Sequence, residues 1–178
     1  MAGNNKGMRG RQTVRDMVLS MVAVGFVVWI GYLFLPHDAD GDGVHKVEYK
    51  VAAASAKRGA PYPLLSPDGL SDQWRATSVT YQPAALGGGK GNAWHLGFVT
   101  PSGQYAAVEQ SDLARDTVLG STVAGGKPDG TSEVAGQTWE RLQGPKSRAL
   151  TIQSGSATTV LTGTASYEEL AELAQALK

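Results

Sequence analysis

The sequence predicts an α+β protein, with an N-terminal transmembrane helix followed by a small, mainly antiparallel sheet and a C-terminal helix packed on one face. Three observations lead to this prediction. An uncharged apolar run extends from Val18 to Leu35, alternating segments flank short turns, and a capped amphipathic pattern ends the chain. Successive hairpins followed by a helix are typical of an antiparallel sheet with its helices on one side.

The apolar run at residues 18–35 has the length of a membrane span. As a helix it is about 27 Å long, close to the ~30 Å hydrocarbon core of a bilayer. Basic residues precede it and acidic residues follow it: Lys6, Arg9, Arg11, Arg15, then Asp38, Asp40 and Asp42. The positive-inside rule therefore places the N-terminus in the cytoplasm. A cleaved signal peptide is the alternative, but its apolar region is shorter and ends in small residues.

This orientation divides the chain into four parts. Residues 1–17 form a basic cytoplasmic tail, and residues 18–35 cross the plasma membrane once. Residues 36–45 are a polar, Gly-punctuated linker, and residues 46–178 form an extracytoplasmic α+β domain.

Composition narrows the classes of partner. Sixteen basic and sixteen acidic residues give no net charge, so no global attraction to nucleic acid is predicted. The absence of cysteine excludes disulfides, thiolate metal sites and cysteine nucleophiles.

The first part of the outer domain has only short patterns that indicate secondary structure. Val47 to Val51 alternates like a short strand, and the Ala-rich stretch Ala52 to Arg58 favours one or two helical turns. Trp74 to Tyr81 is the next predicted strand. Strict alternation puts Trp74, Ala76, Ser78 and Thr80 on one face of it, and Arg75, Thr77, Val79 and Tyr81 on the other.

Two hairpins are predicted further along, because alternating segments flank turn residues. The first joins Ala93–Val99 to Tyr105–Glu109, and the second joins Arg148–Gln153 to Ala157–Thr162. Between them we predict a helix over Asp112–Leu119, capped by Ser111 or Asp112, a loop through Gly125 to Gly130 and a strand over Val134–Leu142. Ser166 and Glu169 form a capping box for the final helix.

His95 is the candidate for acid–base chemistry. It lies on the strand face opposite Trp94, Leu96 and Phe98, and the hairpin brings Glu109 or Asp112 within reach. A structural or surface histidine is the plainer interpretation, since a lone histidine carries little specificity.

The acidic linker contains half of a calcium loop. Asp38, Asp40 and Asp42 alternate before Gly43, but the twelfth position, which supplies the bidentate carboxylate, is Tyr49. A solvated linker that strengthens the membrane orientation is the alternative interpretation.

Trp74, Trp94 and Trp139 are candidate stacking platforms for a sugar or peptide, although strand tryptophans are more often core. No motif predicts a cofactor, and no catalytic residue is assigned.

Three segments carry a resemblance to a known family. They are APYPLLSPDGLSDQWRATSVTY (Ala60 to Tyr81), WHLGFVTPSGQYAAVEQSD (Trp94 to Asp112) and the stretch from Arg148 to Leu177. Together with the basic tail, they resemble the actinobacterial domain-of-unknown-function family 4245 over nearly the whole chain. The resemblance implies a membrane-anchored envelope protein and assigns no activity to any residue.

The sequence therefore predicts a non-catalytic envelope module. It contacts the lipid bilayer through residues 18–35, and a cell-wall component or another envelope protein is the expected partner. An envelope hydrolase using His95 with Glu109 or Asp112 is one alternative. A calcium-responsive linker at Asp38, Asp40 and Asp42 is the other.

Overall fold

The computed structural model describes residues 17–22, 24, 47–84, 86 and 91–178. The chain forms two compact units, Met1–Gly43 and Val44–Lys178. In the first unit, residues 17–22 and 24 are helical. The remainder of the predicted membrane segment, the linker and the tail before residue 17 lie outside the described residues. Within the described residues, no helix is both long and apolar enough to cross a membrane.

The second unit is built on a single seven-stranded sheet, in which every ladder is antiparallel. The strand order is β1-β2-β3-β7-β6-β5-β4. The strands are β1 (Arg75–Gln82), β2 (Ala93–Val99), β3 (Tyr105–Ser111), β4 (Lys127–Val134), β5 (Gln137–Gln143), β6 (Arg148–Ser154) and β7 (Ala157–Gly163). Three helices accompany them: α1 (Tyr49–Gly59), α2 (Arg115–Thr122) and α3 (Tyr167–Ala176). Both predicted hairpins are confirmed, as β2–β3 and β6–β7.

The main core lies between one face of the sheet and helices α1 and α3. The three tryptophans of the strand region, Trp74, Trp94 and Trp139, are all buried in it. They are core residues, not exposed stacking platforms. Helix α3 contributes the fully buried Leu170 and Leu173, so the predicted packing of the C-terminal helix on one face is confirmed.

The start of α3 is fixed as the sequence predicts. The Ser166 hydroxyl accepts a hydrogen bond from the Glu169 backbone N–H, and the Glu169 carboxylate accepts one from the Ser166 N–H. These two reciprocal bonds satisfy backbone donors that the first helical turn leaves unpaired.

A smaller core lies on the opposite face of the sheet, beneath α2. Val160 belongs to this cluster and its neighbour Leu161 to the main core, because successive strand residues point to opposite faces. Val118 of α2 packs there. The expectation that helices occupy one side only is therefore wrong. Helix α2 also begins at Arg115, three residues later than predicted, and no side chain caps it.

The predicted strand at Val47–Val51 is wrong as well. Val47 makes one strand-like hydrogen bond, from its N–H to the Ala76 carbonyl at 2.9 Å, and α1 begins two residues later. Five alternating residues are a weak strand signal beside an alanine-rich run. Ala53 and Ala56, three residues apart, bury one helical face in the main core.

Strand β4 occupies a stretch for which a loop was predicted. Residues Lys127 to Val134 are almost all exposed and include Pro128 and Gly130. The strand has a register shift between Pro128 and Thr131 and forms one edge of the sheet, where proline and irregular pairing are tolerated. The strand predicted over Val134–Leu142 is divided by a turn, because Ala135 and Gly136 both have positive φ.

Candidate functional site

The face that α2 covers at Val160 continues across β3 and β2 to the edge strand β1. Val160 is directly opposite Glu109, Glu109 is opposite His95, and His95 is opposite Thr80. Because opposed residues in a ladder share a face, polar side chains from three strands lie side by side there. The His95 and Glu109 side chains are 31% and 24% exposed, so the cluster is half-buried and accessible from solvent.

A β-bulge in β1 brings Ser78 to this face. Ala76 pairs with Phe98 but Ser78 pairs with Gly97, so Thr77 is an extra residue in the ladder. After the bulge, Val79 and Tyr81 pack on the main core and Ser78 and Thr80 face away from it. The strict alternation predicted for this strand therefore holds only as far as Ala76.

Ser78, His95 and Glu109 form a continuous hydrogen-bonded chain. Ser78 Oγ lies 2.8 Å from His95 Nε2, and His95 Nδ1 lies 2.6 Å from Glu109 Oε1. An ionised glutamate only accepts hydrogen bonds, so Nδ1 is the donor of its pair. In neutral His95 the other nitrogen is then an acceptor, and the Ser78 hydroxyl donates to it.

Gly97 provides the space for this arrangement. A Cβ atom at position 97 would lie 2.5 Å from Ser78 Oγ and 2.8 Å from the Tyr105 hydroxyl. Both distances are shorter than a non-bonded contact allows. The two hydroxyl-bearing side chains therefore meet above a residue that has no side chain.

The electrostatics of the cluster favour a charged imidazole. The hydrogen bond with Glu109 raises the pKa of His95 above its usual 6.5, with a smaller contribution from the charge of Glu109, although burial opposes the rise. Burial and then the charge of Glu109 raise the pKa of Tyr105, while its hydrogen bond with Ser78 opposes that rise. Protonation of His95 turns Nε2 into a donor and reverses the hydrogen bond to Ser78.

A family model for a protein of unknown function, DUF4245, matches residues 9–177. The chain belongs to this family. No curated protein and no solved structure matches it at a significant level. The matched range covers all the strands and helices of the second unit and includes Ser78, His95 and Glu109.

Asp112 does not join the cluster in this DUF4245 chain. Its carboxylate accepts hydrogen bonds from the backbone N–H and the side-chain amide of Asn92, both at 2.7 Å. Asn92 in turn accepts from Tyr81 and Ala84 through its side-chain oxygen. Of the two carboxylates that the sequence offers to His95, Glu109 is its partner, and Asp112 orders the connection before β2.

The structure does not describe the predicted calcium ligands, and four surface clefts lie away from the hydrogen-bonded chain. Asp38, Asp40 and Asp42 fall outside the described residues. Within those residues, no group of three or more His, Asp or Glu side chains is placed to hold a metal. Four clefts of ≈ 180 to ≈ 330 Å³ are lined by residues other than the three of the hydrogen-bonded chain. The candidate site lies on the face of the sheet, outside these four clefts, and its partial exposure makes it an open patch.

Sequence reasoning missed two members of the site, Ser78 and Tyr105, and the reason is clearest for Ser78. It stands in β1, a strand of eight residues, and strict alternation along that strand assigns it to the face of Trp74 and Ala76. One signal was available. Omitting Thr77 gives an alternation in which Trp74, Ala76, Val79 and Tyr81 share the apolar face, which is the arrangement observed.

Proposed function

We propose that this DUF4245 protein is a single-pass membrane protein of an actinobacterial envelope, whose C-terminal unit is an interaction module outside the cytoplasm. The observation that carries the proposal is an exposed apolar helix. The large apolar side chains at its described positions are 51–69% exposed: Met17, Val18, Leu19, Met21, Val22 and Val24. Such a surface is unfavourable in water and favourable among lipid tails.

The flanking charges support one orientation of this anchor. The apolar sequence continues to Leu35 without a charge, basic residues precede it and acidic residues follow it. Lysine and arginine are enriched on the cytoplasmic side of membrane spans. The unit Val44–Lys178 then lies on the outer side.

The polar patch described above supports a role in binding. Hydroxyl groups of Ser78 and Tyr105, the His95 imidazole and the Glu109 carboxylate offer donors and acceptors within one open, half-buried area. Tyr105 is 39% exposed and adds an amphipathic ring. A cell-wall glycan or another envelope protein with exposed hydroxyl and amide groups would complement these side chains.

Two measurements on the full-length chain test the anchor and its orientation. After cell lysis the protein should sediment with membranes, and protease added to intact spheroplasts should digest the C-terminal unit. Changing Val27 and Val28 to arginine should release the protein, because each charge at the centre of a span costs about 2.5–3.5 kcal/mol. Val51→Arg is the matched control: Val51 is 78% exposed in α1 and lies outside the segment. Wild-type protein in the soluble fraction would refute the anchor.

Crosslinking in native membranes tests the interaction module. A photoreactive residue at position 105, in the polar patch, should capture a specific neighbour. The same residue at position 137, which is exposed at the start of β5, is the control. Equal capture from both positions would contradict binding through the patch.

The calcium alternative rests on sequence alone. Asp38, Asp40 and Asp42 would supply carboxylate ligands to a hard cation. Calorimetry of the full-length protein with calcium, compared with the Asp40→Asn variant, tests it. Absence of heat in the wild-type protein would eliminate this alternative.

A further inference from the structure

The hydrogen-bonded chain on the sheet face has the composition of a nucleophile, a base and an orienting carboxylate. Ser78 Oγ is 2.8 Å from one nitrogen of His95, and Glu109 holds the other nitrogen at 2.6 Å. Activated serine nucleophiles are recognised by this geometry and by these roles, not by sequence order or fold. The three residues come from three adjacent strands, so a rigid ladder sets their separation.

The hydrogen bonds from Ser78 through His95 to Glu109 run in the direction that deprotonation of the serine requires. Glu109 accepts from Nδ1, which leaves Nε2 of neutral His95 as the acceptor for the Ser78 proton. The Tyr105 hydroxyl stands beside Ser78 on the exposed side of the patch. A phenolic O–H so placed is a donor for negative charge that develops on a substrate oxygen next to Ser78.

We propose that Ser78 is a nucleophile toward carboxylic esters of short acyl groups, with His95 as its general base, Tyr105 as a donor to the oxyanion and Glu109 as a positioning residue. This inference does not depend on the membrane anchor or on the binding of a partner. It uses only residues of the second compact unit.

The reaction is a balanced acyl transfer followed by hydrolysis. Ser78 Oγ forms a bond to the carbonyl carbon while its proton passes to His95 Nε2. The bond from that carbon to the alcohol oxygen then breaks, and His95 returns the proton to the leaving alcohol. A water molecule, deprotonated by His95, attacks the acyl-serine, and the proton goes back to Ser78 as the acid departs.

The open site restricts the acyl group. None of the four clefts described above is lined by Ser78, so these clefts offer no place beside it for a long acyl chain. An acetyl-sized group is small enough to react without a pocket of its own. The alcohol portion is unrestricted on the solvent side of the patch, so the fitting substrate class is a short acyl ester carried by a larger hydroxylated molecule.

A covalent probe and a chromogenic ester test the proposal on the purified full-length protein in detergent. A fluorophosphonate should label the peptide containing Ser78, and p-nitrophenyl acetate should be hydrolysed faster than p-nitrophenyl octanoate. Ser78→Ala and His95→Ala should each lower the acetate rate by about 100-fold or to the buffer rate. Ser154→Ala, at an exposed serine in the β6–β7 hairpin, should leave both signals unchanged.

Glu109 and Tyr105 require readouts that a purely structural role would not change. Glu109→Gln should shift the ascending limb of the pH–rate profile to lower pH, because the carboxylate that favours imidazolium is removed. Tyr105→Phe should lower both the acetate rate and the rate of fluorophosphonate labelling by about 10-fold, because the phosphonyl oxygen of the probe takes the place of the oxyanion, and should leave the ascending limb of the pH–rate profile in place.

Several results would overturn the proposal. One is labelling of Ser78 no stronger than that of Ser154, and another is acetate hydrolysis that persists in Ser78→Ala. A third is a wild-type rate equal to that of buffer. Denaturation midpoints of the variants identify any loss of folding, and Ser78→Thr, which retains the hydroxyl, provides a second variant at that position. Failure here leaves membrane sedimentation unaffected, so it is distinguishable from failure of the proposed anchor.

Discussion

His95 Nδ1 lies 2.6 Å from Glu109 Oε1, and the two residues are directly opposed in the β2–β3 ladder. The β2–β3 ladder holds both backbones in place, so the two side chains can form this hydrogen bond without a change in the backbone. A charge-assisted hydrogen bond of this kind is stronger than one between neutral groups. It links the protonation of His95 to the stability of the fold.

The first prediction concerns pH. Because the pKa of His95 is raised in the folded state, its stabilising contribution is complete below about pH 6.5, the unfolded value, and is lost as pH rises through the folded pKa. The free energy of unfolding should therefore decrease as the pH rises above about 6.5 and through the folded pKa of His95. Urea denaturation at several pH values measures it, and an NMR titration of His95 gives the folded pKa.

Glu109→Gln is the control for this pH dependence. Glutamine keeps the shape of the side chain and removes its charge, so the decrease with pH should become smaller and the pKa of His95 should fall. An unchanged slope in this variant would show that other groups are responsible.

The second prediction concerns Gly97. A methyl group at this position would lie 2.5 Å from Ser78 Oγ, so Gly97→Ala should destabilise the protein by about 1–3 kcal/mol through overpacking. Gly120→Ala is the matched control with the opposite sign. Gly120 lies within α2 with open space around it, and alanine there should stabilise by about 0.5–1 kcal/mol. Chemical denaturation of both variants measures the two effects; equal effects would contradict the crowding described at Gly97.

The hairpins and the last helix could be predicted because local and tertiary preferences agree there. In β2, the alternation of Trp94, Leu96 and Phe98 matches the buried face, and a four-residue turn follows. Ser166 and Glu169 are only three residues apart and need no distant partner to form their capping box. The same hairpin made Glu109 and Asp112 candidate partners of His95, but only the structure shows that the register pairs His95 with Glu109.

The rest depends on interactions between distant residues. The bulge at Thr77 shifts the register of β1 against β2, so strict alternation along β1 places Ser78 on the wrong face. Strand β4 has few buried apolar residues, so its sequence lacks the alternation of apolar and polar residues that marks a strand. It forms because its backbone pairs with the edge of β5. In α1, the burial of Ala53 and Ala56 against the core favours a helix, although the five residues Val47–Val51 alternate like a strand.

The third prediction concerns the cap of α3. Ser166→Ala removes the acceptor for the Glu169 N–H and should cost about 1 kcal/mol of stability. Glu169→Gln should cost less, because a glutamine side chain can still accept from the Ser166 N–H. The unfolding midpoint in urea measures both variants. A loss in Glu169→Gln as large as that in Ser166→Ala would contradict this expectation and show that the charge of Glu169 also stabilises the helix start.

The fourth prediction separates the two carboxylates that the sequence offered to His95. Asp112 accepts two hydrogen bonds from Asn92, so Asp112→Ala should destabilise the protein by about 1–3 kcal/mol by leaving those donors unpaired. The exposed Asp72→Ala should change stability by less than about 0.5 kcal/mol. Because Asp112 makes no hydrogen bond with His95, the NMR titration of that histidine should be the same in Asp112→Ala and in the wild-type protein, whereas Glu109→Gln lowers its pKa. A comparable fall in Asp112→Ala would show that the loop before β2 also holds the imidazole in place.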